Sequence, residues 1–230
     1  MTKRFHISNF GDESRLSLSG TEAHHLRNVM RMQPGESLWL FDGQGTEAQA
    51  KIVAFSPEGV LLQLLERRQV KPDFQVTIAA AVPKGDRVKW MVEKMTELGV
   101  SKFIPLITAQ SVVDPREGKL ERLRQTVIEA SKQCGRSHLM EISEPVSWEK
   151  FLQQDFSQLW IAHPGGSLPE QKDFAAVDHC TVAIGPEGGF TDREVAQAME
   201  RGARLLGLGS NILRIETAAL AAAVLFALRR

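Results

Sequence analysis

Hydrophobic and polar positions follow two different grammars along the chain. Up to about residue 70 the apolar runs are short and end in turn residues. Ser37-Leu38-Trp39-Leu40-Phe41 reads as a strand, Asp42-Gly43 opens a hairpin-type turn, and Glu47 to Phe55 returns. Ser56-Pro57-Glu58-Gly59 is a second turn, followed by Val60 to Leu65. One helix, near Thr21 to Met32, interrupts the strands and ends before Pro34-Gly35. Several short strands with a single helix predict a small β-barrel.

After Arg67-Arg68-Gln69-Val70-Lys71-Pro72 strands begin to alternate with helices. Val76 to Val82 has the composition of a buried strand, and Asp86 to Leu98 carries Val88, Met91, Met95 and Leu98 at helical spacing before Gly99. Phe103 to Ile107, Leu159 to Ala162 and Thr181 to Ile184 read as further strands, with a helix from about Glu117 to Cys134. This alternation predicts an α/β domain with a mostly parallel sheet, so the domains are expected at 1–71 and 72–230. Thr217 to Leu228 is a helix apolar on every side. It is too short to span a bilayer, so a second protein surface should cover the face its own domain leaves open. A two-fold homodimer is the simplest such assembly.

Composition narrows the class. Apolar residues make up 43% of the 230, enough for a real core, and 28 basic residues balance 28 acidic ones. A balanced total neither announces nor excludes a nucleic-acid partner, because local patches steer a polyanion. The start, Met1 to His6, has no signal-like apolar run, and no stretch is membrane-length; a soluble, cytoplasmic protein is expected. Cys134 and Cys180 have no metal-ligand spacing and read as free thiols. No metal is expected, since the six histidines include no H-E-x-x-H pair.

The candidate chemistry lies between Cys180 and the C-terminus. Thr181-Val182-Ala183-Ile184 empties into Gly185-Pro186-Glu187-Gly188-Gly189, and Thr191-Asp192-Arg193-Glu194 has the capping-box form that starts a helix. A second strand, Arg204 to Leu208, ends in Gly209-Ser210, and Ile212-Leu213-Arg214 leads into the last helix. Glycine-bearing loops at the carboxyl ends of neighbouring strands are where open α/β sheets bind ligands. Neither loop fits G-x-G-x-x-G, and no G-x-x-x-x-G-K-[ST] occurs, which favours a nucleoside without a phosphate chain. The glycines alone are equally consistent with tight turns.

Taken together, Ile184-Gly185-Pro186-Glu187-Gly188-Gly189-Phe190 and Leu208-Gly209-Ser210-Asn211-Ile212-Leu213-Arg214-Ile215-Glu216-Thr217-Ala218 resemble the SPOUT methyltransferases. Within them the chain is similar to the 16S ribosomal RNA uridine-N3 methyltransferase family. Arg4-Phe5, His24-His25-Leu26, Pro34-Gly35-Glu36 and Phe41-Asp42-Gly43 resemble that family's PUA-like barrel. Lys84-Gly85-Asp86-Arg87, Glu97-Leu98-Gly99-Val100 and Glu129-Ala130 with Gln133 and Arg136 resemble its catalytic domain. The resemblance implies an α/β domain with a deep trefoil knot, an exception to unknotted topology. It also implies S-adenosyl-L-methionine held by Gly185, Pro186, Glu187, Gly188 and Gly189, by Leu208, Gly209, Ile212 and Leu213, and by His163, Gly165 and Gly166 of a third loop. The implied substrate is 16S rRNA or the assembled small subunit.

Uridine N3 is protonated at neutral pH, so its methylation needs a base, or stabilisation of the enolate. Arg214 is expected to stabilise charge on a uracil oxygen. Glu216 reads equally as a base, as an orienter of Arg214, or as an acidic partner of a helix N-terminus. Cys134 invites covalent attack on the base, but an unactivated helical thiol is usually inert. RNA contacts are expected from Arg4, Lys84, Arg87, Gln133 and Arg136. They are also expected from the helix near 21–32, where Leu26, Val29 and Met30 form an apolar stripe and His24, Arg27 and Arg31 share another face. A solvated charged face explains that second pattern as well. Two other readings remain: a SPOUT enzyme for another rRNA or tRNA base, and a non-catalytic RNA-binding assembly factor.

Overall fold

A computed structural model describes residues 3–72, 74–113, 120–170, 173 and 178–227. The chain divides into two compact units, one of residues 1–72 with 131–139, the other of 73–130 with 140–230.

The first unit contains β1 (Arg4–His6), β2 (Arg15–Leu18), α1 (Gly20–His24), β3 (Ser37–Phe41), β4 (Thr46–Ser56) and β5 (Gly59–Gln69). The strands follow the order β1-β3-β4-β5-β2; β1 runs parallel to β3 and the other pairs are antiparallel. Among the described residues the hydrogen-bonded path runs from β1 to β2. Two register shifts in the β4–β5 hairpin, after Gln49 and after Ile52, bend it around a core of Phe5, Leu26, Met32, Leu38, Leu40, Ile52 and Leu62.

The expected helix over 21–32 is interrupted. After α1 a π-helical turn spans His25–Val29, with the Met30 amide donating to the His25 carbonyl. Arg31 follows at φ 50, the one non-glycine residue with positive φ among those described. The wide turn rotates the faces away from 3.6-residue spacing, so the apolar stripe does not form. Leu26 is buried, whereas Val29 is 62% exposed and Met30 40% exposed.

The second unit begins with β6 (Gln75–Ala81), α2 (Arg87–Glu97), β7 (Lys102–Ile107) and α3 (Leu120–Cys134), whose last residues enter the first unit. The helix start expected near Glu117 lies outside the described residues. Then come β8 (Glu141–Ile142), β9 (Val146–Ser147), α4 (Trp148–Leu152), β10 (Leu159–Ser167), β11 (His179–Ile184), α5 (Asp192–Glu200), β12 (Arg204–Leu206) and α6 (Ile215–Ala227). The sheet order is β12-β10-β11-β6-β7-β8, with β9 also on β7, and every pairing is parallel. Both faces are covered, which is why these strands are continuously apolar instead of alternating. Ala79, Ile104, Leu106, Ile161 and Ala183 pack with Trp148 and Phe151 of α4 and Ala198 of α5. Trp160 meets Phe226 of α6, which also packs on β6 and α2.

Candidate functional site

In the second unit the chain leaves β6 through α2 toward β7, whereas it leaves β11 through α5 toward β12, on the far side of β10. The adjacent strands β11 and β6 therefore send their connections in opposite directions. Such a switch point opens a crevice beyond the carboxyl ends of the strands. The loops there are 185–191 after β11 and 82–86 after β6.

Gly185 to Gly189 forms a tight turn closed by the Gly189 amide on the Pro186 carbonyl at 2.8 Å. Gly189 sits at φ 77, a left-handed conformation that favours glycine, and a Cβ there would meet nothing within 4 Å. A Cβ on Gly188 would strike the side-chain oxygen of Gln110, a residue the sequence reading missed and for which no motif gave a signal. Thr191 caps α5 and Glu194 completes the capping box. Glu194 also accepts from the Ala109 amide at 2.9 Å, so one buried carboxylate ties the start of α5 to the segment after β7.

The other glycines come from β10 and β12. The pairing Ala162↔Leu206 is followed by Ser167↔Leu206, so His163, Pro164, Gly165 and Gly166 form a bulged stretch within β10. The Gly165 amide donates to His163 Nδ1 at 3.0 Å, turning that ring back on its own loop. Gly166 lies against the backbone of Leu206 and Gly207; a Cβ would approach the Gly207 nitrogen to 2.5 Å. The chain then runs through half-buried Leu208, Gly209 at φ 107, Ile212 at 90% exposure and half-buried Leu213.

Arg214 is exposed at the head of α6, where its carbonyl accepts from the Ala218 amide at 2.9 Å. Among the described residues no hydrogen bond or ion pair engages its side chain. Glu216 is buried and pairs with Arg87 at 3.3 Å, so the thought that it orients Arg214 gives way to a different partner. Its second oxygen, Oε2, is buried without a hydrogen bond. Arg87 also lies 3.8 Å from Glu187, and its Nε donates to the Lys84 carbonyl. Lys84 itself is exposed. Among the described residues there is no group of three or more His, Cys, Asp or Glu that could hold a metal ion.

The expected RNA contacts separate into several kinds. Arg4 must be corrected: its side chain is 8% exposed, pairs with Glu47 at 3.0 Å, donates to Ser137 Oγ at 2.9 Å and stacks on Phe41. It holds the interior of the first unit together. Burial pushes the Glu47 carboxyl up, but hydrogen bonds from Ser137, Arg68 and Arg4 outweigh that and leave it below its ordinary value. Arg27 is exposed, stacked on Phe55 and bonded to the Ser56 carbonyl; with His24 and Asn28 it lines a groove of about 190 Å³ beside Pro57 and Glu58. Arg31 is exposed. Gln133 and Arg136 fall in the 131–139 segment, which Lys132–Glu22 and Arg4–Ser137 tie into the first unit. Gln133 is exposed, whereas desolvation lowers the Arg136 guanidinium to about 10, still charged at neutral pH.

Two family models match the chain. The RNA methyltransferase domain family matches residues 70–227, and the RNA methyltransferase PUA domain family matches residues 18–65. Ribosomal RNA small subunit methyltransferase E of Bacillus subtilis is 35% identical over 220 residues, covering 89% of this chain and 86% of that protein. A Legionella pneumophila protein described as a methyltransferase, solved with S-adenosylmethionine bound, is 31% identical. It superposes with a TM-score of 0.84, covering 98% of this chain and 97% of the other. Ribosomal RNA small subunit methyltransferase E of Neisseria gonorrhoeae, also bound to S-adenosyl methionine, gives a TM-score of 0.83 at 27% identity over 97% of this chain and 96% of the other.

Proposed function

The chain belongs to the ribosomal RNA small subunit methyltransferase E family, and on that premise we propose that it transfers a methyl group to N3 of a specific uridine in 16S rRNA. The reading includes a deep trefoil knot in the second unit, a homodimer, work in the cytoplasm and the small subunit or its RNA as substrate. The observation that carries it is the convergence at the β11/β6 switch point of a glycine turn and a buried carboxylate with one open oxygen, joined through Arg87.

The residues fit S-adenosyl-L-methionine. Open space lies over Gly189 and Gly209, and Ile212 offers an uncovered apolar side chain. The cofactor supplies an electrophilic methyl group on a sulfonium. Gly185 to Gly189, the His163–Gly166 loop and Leu208 to Leu213 hold it, largely through backbone groups. The protein's remaining task is positioning and charge. Arg214 stands where negative charge can be met as a uracil oxygen takes on enolate character, and the positive end of α6 adds to its field. Glu216 Oε2 is an acceptor suited to the N3 proton. Calorimetric titration with S-adenosylmethionine, followed by transfer of labelled methyl to unmodified small subunits and mapping of the product, tests the reading. It predicts binding and a single 3-methyluridine; no binding, or a methyl group on another atom, would refute it.

The first unit is proposed to dock RNA through its exposed basic residues. Arg27→Glu with Arg31→Glu should flatten the plot of log affinity against log salt by at least roughly 1.4, the share of two phosphate contacts on single-stranded RNA. An unchanged slope and affinity would leave that face merely solvated.

The dimer rests on α6, which leaves Leu220, Ala221, Val224 and Leu225 along one partly open side, Val224 at 46% exposure. Trp90 of α2, the helix packed beside it, is 47% exposed. Val224→Glu should convert a dimer to a folded monomer in sedimentation measurements. A wild-type monomer at micromolar concentration would contradict the interface.

A further inference from the structure

We propose that Arg87 is a positioning residue, a clasp that ties the glycine turn at Glu187 to the first turn of α6 at Glu216, and that it does not bind RNA phosphate. The inference rests on the methyltransferase reading and assigns a new role within that site. Arg87 opens α2, Glu187 belongs to the loop after β11, and Glu216 is the second residue of α6. One guanidinium therefore touches three separate segments, with Nη1 3.3 Å from Glu216, Nη2 3.8 Å from Glu187 and Nε on the Lys84 carbonyl at 3.3 Å.

Charge argues against a phosphate ligand. Two carboxylates within 4 Å of one cation give the cluster a net negative charge, which repels a polyanion. Geometry argues for a clasp. The planar fork of an arginine can engage two acceptors while a third N–H anchors its base, whereas an ammonium offers one point of charge. The consequence falls on Glu216. Its side chain is 8% exposed, and Arg87 holds Oε1, which leaves Oε2 facing no protein donor. A carboxylate this buried that loses its counter-charge is driven to reorient. Arg87 thus fixes which oxygen is free, and it couples that choice to the turn carrying Gly188 and Gly189.

The test compares full-length wild type, Arg87→Gln and Arg87→Lys. With small-subunit RNA as substrate, Arg87→Gln should lower kcat by about tenfold or more while KM for RNA stays near wild type. The salt slope should not change, whereas loss of a phosphate ligand would reduce it by roughly 0.7 to 0.9. Arg87→Lys should recover part of kcat. In the cofactor-free protein, hydrogen exchange should quicken in Arg87→Gln at the Gly189 amide, which bonds to Pro186, and at the Ala218 amide, which bonds to Arg214. A raised KM with a reduced salt slope and unchanged kcat would make Arg87 a phosphate ligand and overturn the clasp. Unchanged exchange at both amides would overturn it too. If wild type transfers no methyl group, the functional reading fails, and the exchange comparison still decides the clasp.

Discussion

Arg214→Ala is expected to keep cofactor binding within about twofold and to lose methyl transfer by about a hundredfold or more, the usual cost of removing one preorganised charge stabiliser. The two arginines of the site differ in one respect that matters here. Arg87 is committed to two carboxylates, whereas Arg214 is exposed and, among the described residues, has no hydrogen bond or ion pair. A cation already neutralised by neighbours has little field left for a developing enolate, so the free one should carry that role. The loss should appear in single-turnover rates with saturating RNA, because the interaction strengthens only as charge develops. Wild-type-like single-turnover rates would remove Arg214 from the mechanism.

Gly189→Val should weaken S-adenosylmethionine binding by about tenfold to a hundredfold while the chain stays folded. Two effects add. At φ 77 a β-branched residue is strained, by roughly 1 to 3 kcal/mol, so the turn closed on Pro186 would shift. The isopropyl group would also occupy the open space over the glycine, where no protein atom lies within 4 Å of the place a Cβ would take. That openness is what separates Gly189 from Gly166. Any side chain at Gly166 would collide with the backbone of Gly207, so Gly166→Ala should lower thermal stability as well as binding. An unchanged dissociation constant in a folded Gly189→Val protein would place the ligand elsewhere.

The sequence made the strands and the glycine loops legible for physical reasons. Ser37 to Phe41 and the parallel core strands are runs that only a pleated, buried environment suits, and turn residues bound them. The capping box at Thr191 and Glu194 announced α5, although its second bond, to Ala109, lies 85 residues away and has no local signature. The helix near 21–32 failed because its periodicity assumes 3.6 residues per turn, and the π turn at His25–Val29 breaks that assumption. Arg4 failed for another reason: a basic residue near the start of a chain reads as surface until Glu47 and Ser137, 43 and 133 positions away, are seen to bury it. The same holds for residues 131–139, which include the last turn of α3 yet pack with the first unit. Arg87 pairs with Glu216 across 129 positions, so its type was readable and its role was not.

Methylation of N3 of one uridine in small-subunit rRNA is tested by mass mapping of that RNA from cells lacking this gene. One 3-methyluridine should disappear, with every other modification intact, return when the wild-type gene is restored and stay absent with Arg214→Ala. An unaltered set of modifications, or the loss of a methyl group from any other atom or RNA, would contradict it.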